Sequence, residues 1–306
     1  MSIPSVYHVA DLQKWSVNAP IQLAVLGDPV AHSASPPMHM AALKACSLPH
    51  TYGRLHVRPD ELAPTIQRLA EVGFIGVNLT IPHKTAILPL LDEIDPHAQI
   101  MGAVNTLVFK PGQLTGFNTD GRGLVRAIAD DFGVQLGSLR TLIVGAGGGA
   151  GRAIALQCAL EGCPEITLVN RTREKADSVA HEINSCGDAK KGRSVVHVFA
   201  GDDPALQRRL EAVDLIIQCS SLGMNEGDAS PIPLTHLRAE HLVYDTIYSR
   251  ETQLVQDARA LGARTSNGLS MLLHQGALAF EIWFERPAPI DEMRSALLHY
   301  RATPSH

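Results

Sequence analysis

The sequence has few aromatic residues, few cysteines and no long apolar run. Aromatic side chains make up 5% of its 306 residues. No apolar run could cross a bilayer, and no basic segment followed by an apolar one opens the chain, so we expect a cytoplasmic protein without a membrane partner. The cysteines are odd in number and lack CxxC spacing, which predicts reduced thiols rather than disulfides or a zinc site: Cys46, Cys158, Cys163, Cys186 and Cys219.

The sequence also has no excess of positive charge. The 26 Lys and Arg residues are outnumbered by 31 Asp and Glu residues, for a formal net charge of -5. Because no basic stripe is available to neutralise successive phosphates, we expect no nucleic-acid partner. Apolar content, in contrast, is ample at 45% of 306 residues, which is enough for a full core and for two domains.

The order of apolar runs predicts an α/β protein with a largely parallel sheet. Residues 1–20 are weakly patterned, and we expect them to form an extension that packs peripherally. Strand-like and helical runs then alternate, as βαβ units require. Predicted strands cover 22–26, 74–79, 103–109, 139–144, 165–169, 195–199, 214–217 and 242–246. Predicted helices cover 35–47, 83–91, 121–132, 150–161, 173–184, 204–211 and 252–260, and predicted loops cover 186–194 and 225–234.

A glycine-rich turn follows the strand that ends at Val144. Its residues, in order, are Gly145, Ala146, Gly147, Gly148, Gly149, Ala150 and Gly151. Read as G-x-G-x-x-A, the turn matches Gly145, Gly147 and Ala150. Glycines permit close approach of the backbone to a pyrophosphate, and the amides of the following helix face the phosphates. Because the turn lies between a strand and a helix, dinucleotide binding is favoured over a plain glycine-rich connection.

The end of the next strand indicates which dinucleotide binds. An NAD-binding domain usually carries Asp or Glu there, whereas this chain continues Asn170, Arg171, Thr172, Arg173. Two guanidiniums and two polar side chains suit the 2'-phosphate of NADP(H), which a carboxylate would repel. The alternative is that Arg171 and Arg173 are solvated residues at a helix start. We favour NADP(H) as the cofactor.

The first candidate substrate segment, His32–His39, places Ser33 and Ser35 before a proline pair that can open a helix. Ser35 could be a helix N-cap. Two hydroxyls and free helix amides could equally form a site for a carboxylate. The local chemistry leaves both interpretations open.

Three further polar segments border strands, where α/β proteins collect ligand-binding groups: residues 76–84, 102–106 and 116–121. Taken singly, each has an ordinary structural alternative. Thr80 and Asp120 could be helix caps, Asn105 a turn residue, and Lys84 a solvated lysine.

Together, the four segments resemble the substrate-site signatures of the shikimate dehydrogenase (shikimate 5-dehydrogenase) family: S-x-S-P-x-x-H, N-x-T-x-P-x-K, G-A-x-N-T and N-T-D, in matching order. The resemblance runs from about Gly27 to Trp283. It implies an N-terminal α/β substrate domain completed by C-terminal helices, with a Rossmann NADP-binding domain inserted between them. We place the substrate-binding catalytic domain at 1–120 and 268–306, and the NADP-binding domain at 121–267.

The resemblance also implies roles for individual residues. Lys84 and Asp120 are the catalytic pair, in which an ammonium stabilises and protonates the oxygen of a reduced ketone. The implied substrate-binding residues are Ser33, Ser35, Thr80, Lys84, Asn105, Asp120, Tyr248 and Gln275. The implied cofactor-binding residues are Gly145, Ala146, Gly147, Gly148, Gly149, Ala150, Asn170, Arg171, Thr172, Arg173, Ser220, Gly268 and Met271.

Three stretches depart from the family's pattern. An additional residue in the glycine turn delays Arg152 by one place, so its contact is left unassigned. Gln218 and Ser220 stand where the family usually has Asn and Thr. The loop 248–252 is one residue short.

The predicted activity is the reversible NADPH-dependent reduction of 3-dehydroshikimate to shikimate, a step of aromatic amino-acid and chorismate biosynthesis. One alternative is a quinate/shikimate dehydrogenase using NAD or NADP, since quinate is a similar carboxylated ring with one more hydroxyl. The other is a non-catalytic NADP(H)-binding regulator, against which the retention of Lys84 and Asp120 argues. The expected partner is a small-molecule substrate. A homodimer is compatible with the sequence, which does not determine the oligomeric state.

The remaining conspicuous residues are expected to carry no chemistry. Trp15 and Trp283 are interpreted as core or interface residues. His39, His83 and His274 lack the spacing of a metal cluster, and hydride transfer needs no metal, so none is predicted.

Overall fold

A computed structural model describes residues 6–16, 19–186 and 194–302. The chain divides into two compact units, one formed by Met1–Gly123 with Leu272–His306 and the other by Leu124–Met271. The second unit is therefore inserted into the sequence of the first. Most of the predicted loop 186–194 lies outside the described residues.

The first unit is built on a mixed seven-stranded sheet. Its strands are β1 (Tyr7–His8), β2 (Leu23–Gly27), β3 (Tyr52–His56), β4 (Gly76–Leu79), β5 (Glu93–Ile94), β6 (Thr106–Lys110) and β7 (Gln113–Phe117). They lie in the order β1-β3-β2-β4-β6-β7-β5. Strand β6 is antiparallel to both β4 and β7, while the other pairs are parallel. Four of the six strand pairs are therefore parallel, as expected, and the departure is confined to β6, whose hairpin partner β7 was not predicted.

The helices of the first unit follow its strands in the chain. They are α1 (Val9–Leu12), α2 (Ser35–Ala45), α3 (Leu62–Glu71), α4 (His83–Ala86) and α5 (Pro96–Met101), and α6 (Asp120–Phe132) then leads into the second unit. The single helix predicted over 83–91 is wrong. Helix α4 ends at Ala86 and a 3-10 turn covers Leu88–Leu90, because Pro89 has no amide to continue an α-helix.

The N-terminal residues belong to the core of the first unit. Strand β1 pairs with β3, with Tyr7 opposite Leu55. Tyr7 and Leu12 are 7% and 1% exposed. For the described residues 6–16, the expectation of peripheral packing was therefore wrong. A two-residue strand and a one-turn helix are too short to show a periodic apolar pattern.

Both tryptophans pack into this unit, as predicted. Trp15 stacks on Phe74 with ring centroids 6.2 Å apart. The indole N–H of buried Trp283 donates to the carbonyl oxygen of Leu107 at 2.9 Å. A Cβ at Gly76 would lie 2.0 Å from the same indole nitrogen, so only glycine fits under this ring.

The second unit is a parallel six-stranded sheet. Its strands are β8 (Thr141–Val144), β9 (Glu165–Asn170), β10 (Val195–Ala200), β11 (Leu215–Gln218), β12 (Leu242–Asp245) and β13 (Arg264–Asn267), in the order β10-β9-β8-β11-β12-β13. Its helices are α7 (Gly149–Glu161), α8 (Arg173–Cys186), α9 (Ala205–Leu210) and α10 (Gln253–Ala260). The chain then continues into α11 (Gly268–Phe284) and α12 (Ile290–Ala302). None of the described helices is long and apolar enough to span a membrane.

The strand order of the second unit reverses between β8 and β11. Val144 at the end of β8 lies opposite Gln218 at the end of β11. Parallel strands bring their carboxyl ends to one edge, and ligands of such sheets bind in the crevice at the reversal point. The loops that begin at Gly145 and Cys219 therefore meet at the expected location of a dinucleotide.

Candidate functional site

The centre of the candidate site is an ion pair in the first unit. Lys84 is the second residue of α4, and Asp120 is the first residue of α6. The Lys84 Nζ lies 2.6 Å from Asp120 Oδ2, and the two side chains are 33% and 21% exposed. This exposure leaves the ammonium accessible to a small molecule while holding it against a carboxylate.

Asn105 orients Asp120. Its Nδ2 donates to Asp120 Oδ1 at 2.9 Å and to Thr119 Oγ1 at 2.9 Å. Its Oδ1 accepts from the backbone N–H of Thr119 at 2.8 Å and from Thr106 Oγ1 at 2.9 Å. Asn105 is 1% exposed. Hydrogen bonds at both Oδ1 and Nδ2 fix the orientation of the Asn105 side-chain amide. Its NH₂ group therefore points to the Asp120 carboxylate.

A buried chain of hydrogen bonds continues behind Asn105. The hydroxyl of Tyr52 donates to Asn78 Oδ1 at 2.7 Å. Asn78 Nδ2 donates to the carbonyl oxygen of Asn105 at 3.3 Å and to Thr106 Oγ1 at 3.1 Å. Burial raises the pKa of Tyr52, so this hydroxyl stays neutral. Sequence reasoning missed Tyr52, which lies in no recognised motif.

Ser33 and Ser35 lie at the start of α2, in a different arrangement from either sequence interpretation. Ala34, not Ser35, is the N-cap residue, and Ser35 is the first residue of the helix. The N–H of Ser35 is donated to Ser33 Oγ at 3.3 Å. Pro36 and Pro37 have no N–H. The free helix amides expected here are thus largely missing, and the two hydroxyls are the principal donors.

Three other predicted substrate residues have defined settings. Thr80 caps no helix, since the N-cap of α4 is Pro82. A Cβ placed on Gly27 would lie 2.4 Å from the methyl carbon of Thr80, so the close approach of Thr80 requires glycine there. Gln275 on α11 places Oε1 3.5 Å from Asn105 Nδ2, which joins it to the Asp120 cluster. Tyr248 follows β12 in the second unit.

The glycine turn of the second unit is shaped by close backbone contacts. Gly145 adopts a left-handed conformation, φ 80°, that favours glycine. A Cβ at Gly151 would lie 2.2 Å from the carbonyl oxygen of Gly145, whereas Ala150 is exposed. The position that allows close packing of helix on strand is therefore Gly151. The interpretation that matched Ala150 to the third glycine was wrong, because the additional residue shifts the helix by one place.

The start of α7 suits an anion. Its N-cap residue is Gly148, and no side chain among the described residues caps the helix. The amides of the first turn have no partner within the helix, and the helix dipole adds partial positive charge there. A Cβ at Gly149 would meet no atom of the described residues within 4 Å, so the approach to these amides is open on the protein side.

Asn170 stabilises the glycine turn through its side-chain amide. Its Oδ1 accepts from the N–H of Gly147 at 3.2 Å, and its Nδ2 donates to the carbonyl oxygen of Thr172 at 2.8 Å. Arg171, Thr172 and Arg173 are exposed beside it. Arg173 lies 3.7 Å from Asp177, with both side chains half exposed, a pair too solvated to withdraw the guanidinium from a ligand.

The other predicted cofactor residues line neighbouring loops. A Cβ at Gly145 would lie 2.7 Å from the backbone nitrogen of Ser220, so the loop after β11 runs against the glycine turn. Gln218 holds that loop by donating to Ser220 Oγ and to the carbonyl oxygen of Leu222. The longer Gln side chain thus supports the loop where the family usually has Asn.

Gly268, Met271 and Arg152 also have defined contacts. A Cβ at Gly268 would lie 2.1 Å from the carbonyl oxygen of Thr246, so glycine is required. The N–H of Met271 donates to the hydroxyl of Tyr244 at 3.1 Å. Arg152 donates to Glu182 through Nε at 2.9 Å and through Nη2 at 2.5 Å, which fixes its guanidinium against α8.

Comparisons with known proteins identify the family. Residues 25–107 match the model of the shikimate dehydrogenase substrate binding domain, and residues 268–298 match that of the shikimate 5'-dehydrogenase C-terminal domain. A curated relative, the shikimate dehydrogenase (NADP(+)) of Desulforamulus reducens, is 41% identical over 285 residues, which are 92% of this chain and 96% of the relative.

Two solved structures are similar along almost their whole length. Shikimate 5-dehydrogenase from Thermus thermophilus, in complex with NADP(H) and shikimate, is 33% identical with a TM-score of 0.77, and the match covers 91% of this chain and 99% of that chain. Quinate dehydrogenase from Corynebacterium glutamicum, in complex with NAD, is 28% identical with a TM-score of 0.81, over 91% and 99%. The identity and coverage of the curated relative show that this chain belongs to the shikimate dehydrogenase family.

Proposed function

We propose that the protein catalyses the NADP(H)-dependent interconversion of 3-dehydroshikimate and shikimate. The observation that carries this proposal is the contact of Lys84 with Asp120 at 2.6 Å, in which the second carboxylate oxygen accepts from Asn105. An ammonium held by an oriented carboxylate is suited to stabilise and protonate an alkoxide. The membership of the family supports the same reaction.

The second unit has a cradle that fits NADP(H). Gly151 allows α7 to approach the end of β8, where a Cβ would lie 2.2 Å from the Gly145 carbonyl oxygen. The uncapped first turn of α7 supplies amides for the pyrophosphate. We assign the remaining contacts to the loops after β9 and β11 and to the start of α11: Asn170, Arg171, Thr172, Arg173, Ser220, Gly268 and Met271.

The end of β9 favours NADP(H) over NAD(H). Asn170 occupies the place of the usual carboxylate, and its amide is engaged with the turn itself. The exposed guanidiniums of Arg171 and Arg173 are then the groups able to pair with a 2'-phosphate. A carboxylate at position 170 would instead repel that group.

The first unit holds the proposed substrate-binding residues apart from Tyr248, which belongs to the second unit. The hydroxyls of Ser33 and Ser35 donate hydrogen bonds to the ring carboxylate, to which Tyr248 is also assigned. The ring hydroxyls bind to Thr80, Lys84, Asn105, Asp120 and Gln275. The link between Gln275 and the Asp120 cluster, 3.5 Å from Asn105, supports a common hydroxyl-binding surface.

The chemistry of the reaction defines the task of each group. When bound, NADP(H) supplies the hydride in reduction and accepts it in oxidation. Negative charge then develops on the ketone oxygen, and the Lys84 ammonium stabilises this charge and delivers the proton. Asp120 holds the ammonium at 2.6 Å and accepts a hydrogen bond from a substrate hydroxyl. In the oxidative direction, Lys84 acts as the neutral amine, takes up the hydroxyl proton and becomes the ammonium again.

A panel of steady-state rates tests the proposal. Shikimate and quinate are each oxidised with NADP⁺ and with NAD⁺, and the highest kcat/KM is expected for shikimate with NADP⁺. Faster oxidation of quinate with NAD⁺ would overturn the substrate assignment. Tight NADPH binding without turnover of either substrate would instead support a non-catalytic regulator.

A further inference from the structure

The start of α2 is short of the donors that normally bind an anion at a helix N-terminus. Pro36 and Pro37 have no amide hydrogen, and the N–H of Ser35 is donated to Ser33 Oγ. The four residues at this end of the helix are Ala34, Ser35, Pro36 and Pro37. Among them, Ala34 alone has an amide hydrogen that is neither absent nor donated to Ser33. A cation on another element would strengthen the recognition of a carboxylate by two neutral hydroxyls.

Arg54 is the cation in contact with this loop. It lies on β3, and its Nε and Nη2 both donate to the carbonyl oxygen of Ser33, at 3.0 and 2.7 Å. The guanidinium therefore holds one carbonyl oxygen of the segment Ser33–Ser35, the serine loop, through two hydrogen bonds. Arg54 Nη2 also lies 3.3 Å from the hydroxyl of Tyr300 on α12, and the cation lies 6.0 Å from the centre of the Tyr300 ring.

The positive charge of Arg54 also acts on Tyr52, two residues earlier on β3. Burial raises the pKa of Tyr52, while the Ser35 hydroxyl and the positive charge of Arg54 act in the opposite direction. The guanidinium is therefore close enough to act electrostatically on the Tyr52 hydroxyl. The residue that Arg54 contacts directly, Ser33, is one of the two assigned to the carboxylate.

We propose that Arg54 is a positioning residue for the carboxylate subsite. It holds the backbone at Ser33, so that the two serine hydroxyls keep one separation, and it supplies the positive charge that favours a carboxylate over a neutral group. Tyr300 holds the guanidinium in turn. This inference rests on the proposed function only for the identity of the ligand, a cyclic carboxylate.

The test compares a charged and a neutral ligand. Shikimate and its methyl ester are measured by calorimetric binding and by steady-state oxidation with NADP⁺, using Arg54→Gln, Arg54→Lys and the unmodified protein. Arg54→Gln is expected to raise the Kd and KM of shikimate about tenfold, with kcat changed less than about twofold. The ester should lose much less. Arg54→Lys keeps the charge without the fork and should restore part of the shikimate affinity.

Two further variants keep the outcome decisive. Arg58→Gln makes the same change of net charge at an exposed arginine near the end of β3, and should leave both ligands unaffected. Tyr300→Phe removes only the hydroxyl beside Arg54 and should raise the shikimate Kd by a smaller factor, which provides a readout even if Arg54→Gln does not fold. Equal losses for acid and ester, or no loss for either, would refute the inference. Shikimate binding that depends on Arg54 without any turnover would uphold it while refuting the proposed activity.

Discussion

The ammonium nitrogen of Lys84 lies 2.6 Å from Oδ2 of Asp120, although 36 residues separate the two in the chain. The pairing exists because β4 delivers Lys84 and the β6–β7 hairpin delivers Asp120 to one place. Asn105, just before β6, fixes the second carboxylate oxygen.

Lys84→Met should reduce kcat by about 10²- to 10⁴-fold, because the oxygen of the ketone loses its proton donor. The Kd of NADPH, measured by fluorescence, should hardly change, since Lys84 lies outside the proposed cofactor cradle. Lys110→Met removes an exposed lysine and serves as the matched control. Persistence of turnover in Lys84→Met would show that another group transfers the proton.

The double substitution of Arg171→Ala and Arg173→Ala should raise the KM of NADP⁺ by about tenfold or more, because both charged partners of the 2'-phosphate are removed. The KM of NAD⁺ should change by less than about twofold. The double substitution of Arg208→Ala and Arg286→Ala, at two other exposed arginines, is the control for net charge. An equal loss for both nucleotides would mean that the two guanidiniums do not distinguish them.

Gly151→Ala should destabilise the protein by about 1–3 kcal/mol and weaken NADPH binding, since its Cβ would lie 2.2 Å from the carbonyl oxygen of Gly145. Gly149→Ala is the matched control two residues earlier, where a Cβ would meet no described atom within 4 Å. It should leave stability unchanged or raise it by about 0.5–1 kcal/mol. Thermal unfolding with and without NADPH measures both, and an unaltered Tm in Gly151→Ala would contradict the packing argument.

Stability should fall with acidification in part through His39. Burial lowers the pKa of His39 to about 3 in the folded protein, while the unfolded imidazole titrates near its ordinary value of about 6.5. Between these values only the unfolded chain binds the proton. The free energy of unfolding therefore decreases as pH falls below about 6.5, by at most about 1.4 kcal/mol per pH unit from this group.

Denaturant titrations at a series of pH values between the folded and unfolded pKa of His39 check its contribution. His39→Gln should show a shallower dependence of unfolding free energy on pH. His181→Gln replaces an exposed histidine and should keep the original slope. Since burial also lowers the pKa of His83 and of His241, part of the slope should remain in His39→Gln. Identical slopes in all three proteins would contradict the assignment.

Two of the predicted strands are buried on both faces. Strands β8 and β11 are buried at every position, so they read as continuous apolar runs. Strand β13 is the polar edge strand Arg264–Asn267, and it was missed because none of its residues is buried, so it has no apolar run. Strand β3 was missed because Gly53 and Arg54 interrupt its apolar pattern.

The candidate site was predictable in its motifs and less so in its supports. Ser33, Lys84 and Asp120 lie in segments whose order matches a family pattern. Tyr52 and Arg54 do not, and each acts on a residue far along the chain: Tyr52 bonds Asn78, 26 residues away, and Arg54 bonds Ser33, 21 residues away. Such contacts depend on which strands are neighbours, which local residue patterns do not state.

By itself, the sequence determined the α/β class, the glycine turn and the family, because strand and helix periodicity and short motifs are local properties of the chain. Only the tertiary structure decided that Gly151 rather than Ala150 is the packing position, that Arg54 contacts the backbone at Ser33, and that the N-terminal strand belongs to the core. Each of these depends on atoms brought within a few ångströms by the packing of distant segments. In the glycine turn, that distance is the 2.2 Å between a Cβ at Gly151 and the Gly145 carbonyl oxygen.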